Sequence, residues 1–222
     1  MRVLVFGATG MVGQGVLREC LLDPEVDAVV AIGRSATGQE HAKLRDLVAP
    51  DLFDLSALAS QLRGFDACFF CLGVSSAGMS EPDYRRVTFD LTLAVARFLV
   101  PGNPGMTFVY VTGAGTDSSE KGRMMWARVK GATENALLRL PFKAAVMFRP
   151  AGIVPLHGVR SKTRLYRLAY TVTRPLWPLL HAVFPQFVTT SEQVGRAMLA
   201  VAKRGAPKPI LESRDINAIR TD

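Results

Sequence analysis

The chain is short of cysteine, of histidine and of negative charge. Its 222 residues hold three cysteines and three histidines, and 19 Asp and Glu stand against 27 Lys and Arg. Cys20, Cys68 and Cys71 are too few for a disulfide framework and point to a reducing compartment. Cys68-Phe-Phe-Cys71 has the spacing of a redox or zinc half-motif. It falls in an apolar strand pattern, where residues three apart face opposite ways, so packing is the expected role. His41, His157 and His181 are scattered and lack metal-ligand spacing. No Ser-His-Asp arrangement is signalled. The first glycine turn has no Walker lysine behind it, which argues against a nucleotide triphosphatase. No stretch supplies the roughly 18 uninterrupted apolar residues of a membrane-spanning helix, and the opening apolar run reads as a strand rather than a leader. The expectation is a soluble, cytoplasmic protein without a transmembrane segment.

The charge excess of +8 would suit nucleic acid, but Lys and Arg are spread along the chain, with local density only at 160–174. A phosphate-bearing cofactor accounts for it better, and a nucleic-acid partner is not expected. Hydrophobic residues make up 49% of the chain and charged residues 21%, the balance of a globular domain. The length fits one domain with its own core. The expected division is a nucleotide-binding core over 1–150 and a small C-terminal lobe over 151–222.

What is present begins at the first residues. Val3-Leu-Val-Phe6 is a short, continuously apolar run, as a strand buried on both faces requires. Gly7, Gly10 and Gly13 follow directly, and a helical pattern with Val12, Val16, Leu17 and Leu21 runs over 11–22. Strand, glycine turn and helix N-terminus together make a cradle for a dinucleotide pyrophosphate. The spacing is Gly-x-x-Gly-x-x-Gly rather than Gly-x-Gly-x-x-Gly.

Further strands are expected at 26–32, 44–48, 66–72, 106–112 and 144–148, with helices over 56–62, 83–99 and 123–140 between them. This alternation predicts a doubly wound parallel sheet, an α/β fold of Rossmann type. Arg34 and Ser35 stand where the second strand ends. An acidic residue there would take the 2′-hydroxyl of NAD, whereas Arg34 accommodates the 2′-phosphate of NADP. NADP is therefore the expected cofactor, ahead of NAD. After residue 149 the alternation breaks. Residues 157–188 are basic and aromatic, and fit a cover over a substrate pocket or an amphipathic surface helix. Thr190 and Gln193 have capping-box spacing before a helix at 191–203. Ile210-Leu211 would add a last strand.

The Gly7-Ala-Thr-Gly10-Met-Val-Gly13 opening, the Cys71-Leu-Gly73 strand end and Arg149-Pro-Ala-Gly152 resemble the atypical and extended short-chain dehydrogenase/reductases. The likeness lies near the Tat-interacting-protein oxidoreductase subgroup and the nucleoside-diphosphate-sugar epimerases. It implies that Gly7, Thr9, Gly10, Met11, Val12 and Gly13 hold the pyrophosphate, and that Arg34 and Ser35 face the adenosine phosphate. It also implies Asp51 and Leu52 beside the adenine and Cys71, Leu72 and Gly73 along the cofactor's middle. Pro150, Ala151, Gly152 and Ile153 would flank the nicotinamide. A homodimer and a small carbonyl substrate belong to the same resemblance.

Catalysis in that superfamily rests on Tyr-x-x-x-Lys with a Ser or Thr ahead of it. The corresponding run here is Trp126-Ala-Arg-Val-Lys130. Lys130 is in place and would also bind the nicotinamide ribose, but an indole N–H does not titrate usefully. Thr112 supplies the hydroxyl only if it, rather than Gly113, aligns with the family's serine. Three readings remain open. Tyr84 or His157 could bring the proton, or Lys130 itself could act as base, as in isoflavone-reductase-like relatives. Alternatively the chain binds NADP without turnover, as a redox sensor or interaction protein. The expectation leans to a reductase or epimerase-like enzyme.

Overall fold

A computed structural model describes residues 1–159 and 187–221. Seven parallel strands form one sheet: β1 (Arg2–Phe6), β2 (Ala28–Gly33), β3 (Leu44–Val48), β4 (Ala67–Phe70), β5 (Thr107–Val111), β6 (Ala144–Arg149) and β9 (Ile210–Glu212). Their order is β3-β2-β1-β4-β5-β6-β9. The order reverses direction beside β1, and the C-terminal edge at that switch point is where doubly wound sheets bind ligands. Two short strands, β7 (Gly152–Val154) and β8 (Val188–Thr190), pair in parallel as a separate ribbon.

The apolar run of β1 supplies both faces of the sheet. Val3 and Val5 enter one core with Val16, Leu17 and Cys20 of α1 (Met11–Leu22) and Val194, Ala197 and Met198 of α5 (Ser191–Arg204). Leu4 and Phe6 enter the other, against Leu93, Val95 and Leu99 of α3 (Leu91–Leu99) and Leu137 of α4 (Met125–Leu138). On that second face the Phe6, Phe70 and Phe108 rings stack in a row across β1, β4 and β5, with centroids 5.4 and 5.8 Å apart. Cys68 packs in the second core while Cys71 lies against the first, on opposite sides of the sheet.

Several elements differ in detail from the sequence expectation. The helix expected over 83–99 starts earlier, as α2 (Glu81–Arg85), and passes through one π-helical turn at Arg86–Asp90 into α3. The early start has a local cause: the Ser80 hydroxyl accepts the Asp83 backbone N–H, and Pro82 has no N–H there to satisfy. The helix over 56–62 is a 3-10 turn at Ser56–Gln61. The β7–β8 ribbon and α6 (Ser213–Ala218) had no strong periodic signal. The Thr190 hydroxyl does cap α5, accepting the Gln193 N–H at 2.9 Å. Arg160, Lys162, Arg164, Arg167, Arg174 and the aromatic residues among them lie outside the described residues.

Candidate cofactor and active site

The glycine turn sits between the ends of β1 and β4. Gly7 has φ +81°, and a Cβ there would come within 2.9 Å of the Cys71 carbonyl and the Leu72 nitrogen. At Gly13 a Cβ would meet the Gly7 carbonyl oxygen at 2.1 Å. Both positions admit only glycine, for different reasons. Gly10 is less confined, with 3.3 Å to the same oxygen. Its N–H donates to Gly7 O at 2.9 Å, closing the turn. Gly10 is also the N-cap of α1. No side chain caps the helix there, and its first turn holds no acidic residue. The leading N–H groups of α1 and its positive dipole end are thus left for an anion. Cys71 N–H donates to Phe6 O at 2.9 Å, which draws Cys71, Leu72 and Gly73 alongside the turn. Thr9, Met11 and Val12 lie within this cradle.

At the outer end, Arg34 and Ser35 are exposed just past β2. The Ala49 N–H donates to Gly33 O at 2.9 Å and brings the 49–54 segment beside them. Arg34 makes no ion pair with any described residue. Asp51 is exposed and turns its carboxylate back to the Phe53 N–H at 2.8 Å. Leu52 is buried in the sheet core, whereas Phe53 is exposed with the Arg86 guanidinium 5.4 Å above its ring.

The second half of the edge is built from β5, α4 and β6. Lys130 is half-buried on α4 and donates from Nζ to the Thr112 carbonyl at 3.2 Å. Burial pushes its pKa down to about 8, with Glu134 opposing the shift. The Thr112 hydroxyl points elsewhere, donating to Glu134 Oε1 at 2.6 Å. Glu134 is fully buried and accepts Arg149 Nε on both oxygens at 3.1 Å. A further Arg149 Nη2 contact completes the pair. Arg149 Nη2 also reaches Ser118 Oγ at 2.6 Å, and Nη1 lies 3.4 Å from Glu212 Oε1. Burial alone would lower the Arg149 pKa, but Glu134 and Glu212 hold it above the ordinary arginine value.

Arg149 ends β6, so the same network fixes the turn that follows. Pro150 accepts the Ala114 N–H at 3.0 Å, and Ala151 donates to Ser213 Oγ at 2.8 Å. The Gly152 N–H donates to Phe187 O at 2.8 Å, and Ile153 is buried in β7. The structure therefore brings Thr112, Lys130 and Pro150–Ile153 to one end of the sheet.

The other proton-carrying candidates are engaged by partners of their own. Tyr84 is buried, its hydroxyl engaged with Thr88, and burial raises its pKa. His157 pairs with Glu192 at the start of α5. The Trp126 indole flanks the β5–α4 loop, where a Cβ on Gly115 would come within 3.6 Å of it. Among the described residues, a groove of about 450 Å³ runs between the C-terminal ends of α1 and α5. It is lined by ion pairs such as Lys203 with Asp23, and it lies at the far end of α1 from Gly10.

Sequence reasoning missed Glu134 and Ser118 as parts of this region, and took Arg149 only as a landmark ahead of Pro150. A signal was there: Glu134 stands one helical turn beyond Lys130, on the face turned inward, where a lone carboxylate needs a cation.

Comparison with known proteins bears on the family and the fold. The NAD dependent epimerase/dehydratase family matches residues 3–117. The chain is 30% identical to a protein of Aspergillus clavatus named fmp52, mitochondrial, over 73% of this chain and 69% of that one. The corresponding Emericella nidulans protein is 29% identical over 73% and 70%. Among solved structures, the Bordetella bronchiseptica enzyme WbmF in complex with NAD+ covers 97% of this chain and 76% of its own, with a TM-score of 0.67 at 15% identity. MoeE5 in complex with UDP-glucose and NAD covers 95% and 74%, with a TM-score of 0.66 at 19% identity. The cytoplasmic expectation is overturned, because these relatives are named as mitochondrial proteins. Its basis was too thin: unpaired thiols speak for a reducing compartment without saying which, and no described helix is long and apolar enough to cross a membrane. Sheet order, glycine turn and family match agree: the chain belongs to the NAD dependent epimerase/dehydratase family.

Proposed function

We propose that the chain is an NADP(H)-dependent oxidoreductase acting on a small carbonyl substrate, with Lys130 handling the proton. The observation that carries this reading is the pairing of a cradle only glycine can form with a buried amine at the same sheet edge. Gly7, Thr9, Gly10, Met11, Val12 and Gly13 would hold the pyrophosphate, and Cys71, Leu72 and Gly73 the middle of the dinucleotide. Asp51 and Leu52 would border the adenine. Arg34, with Ser35, would take the 2′-phosphate, since no carboxylate at the end of β2 competes for a ribose hydroxyl. Pro150, Ala151, Gly152 and Ile153 would flank the nicotinamide, which when bound supplies or accepts the hydride.

Lys130 would then bind the nicotinamide ribose and exchange a proton with the substrate oxygen. A pKa near 8 leaves both forms populated close to neutrality, as proton transfer requires. Thr112 would serve through its carbonyl, which orients the amine, rather than through its hydroxyl. The C-terminal lobe over 151–222 would supply the substrate side of the site, and a homodimer is the assembly the family resemblance implies.

A second reading, a non-catalytic NADP-binding sensor or interaction protein, is favoured by two observations. The acid/base position holds Trp126, and the nearby Thr112 hydroxyl is committed to Glu134. NADPH oxidation with a panel of small aldehydes and ketones separates the two. Turnover by wild type that disappears in Lys130→Ala, with NADPH binding retained, supports the enzyme. Tight NADPH binding without turnover on any substrate supports the sensor.

A further inference from the structure

A fully buried carboxylate is expensive unless it is matched, and Glu134 has two partners. It accepts the Thr112 hydroxyl of the β5 end at 2.6 Å and the Arg149 Nε of the β6 end on both oxygens at 3.1 Å. It also stands on α4 one turn from Lys130, the distance at which helix side chains are neighbours. Thr112 is the shared part: its hydroxyl goes to Glu134 and its carbonyl receives Lys130 Nζ at 3.2 Å. Fixing the Thr112 side chain fixes the peptide whose oxygen orients the lysine. Fixing Arg149 fixes the residue immediately before Pro150. One carboxylate thus ties three elements around the candidate site.

We infer that Glu134 is a positioning residue, which holds the Lys130 amine on the Thr112 carbonyl and locks the β5 and β6 ends around it. The inference deepens the proposed function and rests on Lys130 being the lysine of that site. Among the described residues, the groups facing Lys130 and its partners are Glu134 on α4, Thr112 on the β5 end with Tyr110 inside that strand, Arg149 on the β6 end and Glu212 on β9. Glu134 is the group among the described residues that opposes the burial of the Lys130 ammonium. Removing that charge makes the amine neutral at lower pH.

The test reads Lys130 itself and needs neither cofactor nor turnover. The full-length protein is labelled with limiting acetic anhydride across a pH series, and Lys130 acetylation is quantified by peptide mass spectrometry. In wild type the labelling midpoint lies near 8, where burial places this amine. In Glu134→Gln the midpoint falls by about one pH unit, which raises labelling roughly tenfold at a fixed pH below it. Glu134→Asp, which keeps the charge, returns the midpoint most of the way.

Should Glu134→Gln fail to fold around an unmatched Arg149, the double variant Glu134→Gln/Arg149→Met removes both charges. Replacing a buried ion pair as a whole is tolerated far better than breaking it. In that double variant the lost guanidinium partly offsets the lost carboxylate, which stands nearer the amine, so the midpoint falls by less than in Glu134→Gln. A folded Glu134→Gln protein with the wild-type midpoint, or a double variant whose midpoint does not fall at all, overturns the inference. If the shift occurs in a protein that shows no turnover, the positioning role stands and the enzyme reading alone fails.

Discussion

The two halves of the candidate site are built by opposite means. The β1–α1 half is made of backbone: glycines, an open helix N-terminus and a neighbouring strand end, with hardly a side chain involved. The β5–α4–β6 half is made of side chains, with Lys130, Glu134, Arg149 and Thr112 linked through buried and part-buried hydrogen bonds. A backbone cradle depends on the absence of atoms, so adding one destroys it. A side-chain network depends on matched charge, so removing one atom group leaves its partner stranded. The two halves should therefore fail in different ways.

The largest effect belongs to the cradle. Gly13→Ala places a methyl 2.1 Å from the Gly7 carbonyl, a clash that no rotamer change can relieve. Cofactor binding should fall at least 100-fold, with stability lower by about 1–3 kcal/mol from overpacking. Gly10→Ala meets the same oxygen at 3.3 Å and should keep most of its affinity. Equal losses in the two, measured by calorimetry and thermal melting, would break the account of the turn.

The network should fail next. Arg149→Met leaves Glu134 buried without its ion pair, and breaking such a pair costs about 3–5 kcal/mol. Chemical denaturation checks this, and a loss under about 1 kcal/mol would mean that water reaches the carboxylate. A third effect follows from pH. Folding lowers the Lys130 pKa to about 8 from 10.5, so between those values the unfolded chain binds more protons and stability from this group rises with pH. The stability of wild type relative to Lys130→Met should climb across that window and flatten above it. A flat difference throughout would show that the amine is not desolvated. The smallest effect is expected at the exposed rim, where Arg34→Ala should weaken NADPH binding about tenfold, the worth of one hydrogen bond to a charged group. NADH binding should be unchanged.

The same contrast explains what could be read from the sequence. The glycine turn and the βαβ alternation are local patterns, since each strand and helix announces itself through its own spacing. Arg34 could be set at the end of β2 for the same reason, two residues beyond the strand recognised in the sequence. The Glu134–Arg149–Thr112 network could not, because its members are polar residues on three elements that meet only when the sheet is assembled. Thr112 illustrates the limit. Its position near the site was legible, but the hydroxyl's commitment to Glu134 was not. The short β7–β8 ribbon and α6 escaped because a few residues carry no period. Trp126 was visible at once as a break in the catalytic pattern, and the structure adds that its ring flanks Gly115 in the β5–α4 loop.

The central claim is that the β1–α1 cradle with Arg34 selects a 2′-phosphorylated dinucleotide. A side-by-side calorimetric titration of the full chain with NADPH and NADH tests it most directly. The account predicts NADPH binding at least tenfold tighter than NADH binding, with the preference lost in Arg34→Ala. Equal affinities, a preference for NADH, or no binding of either would contradict it.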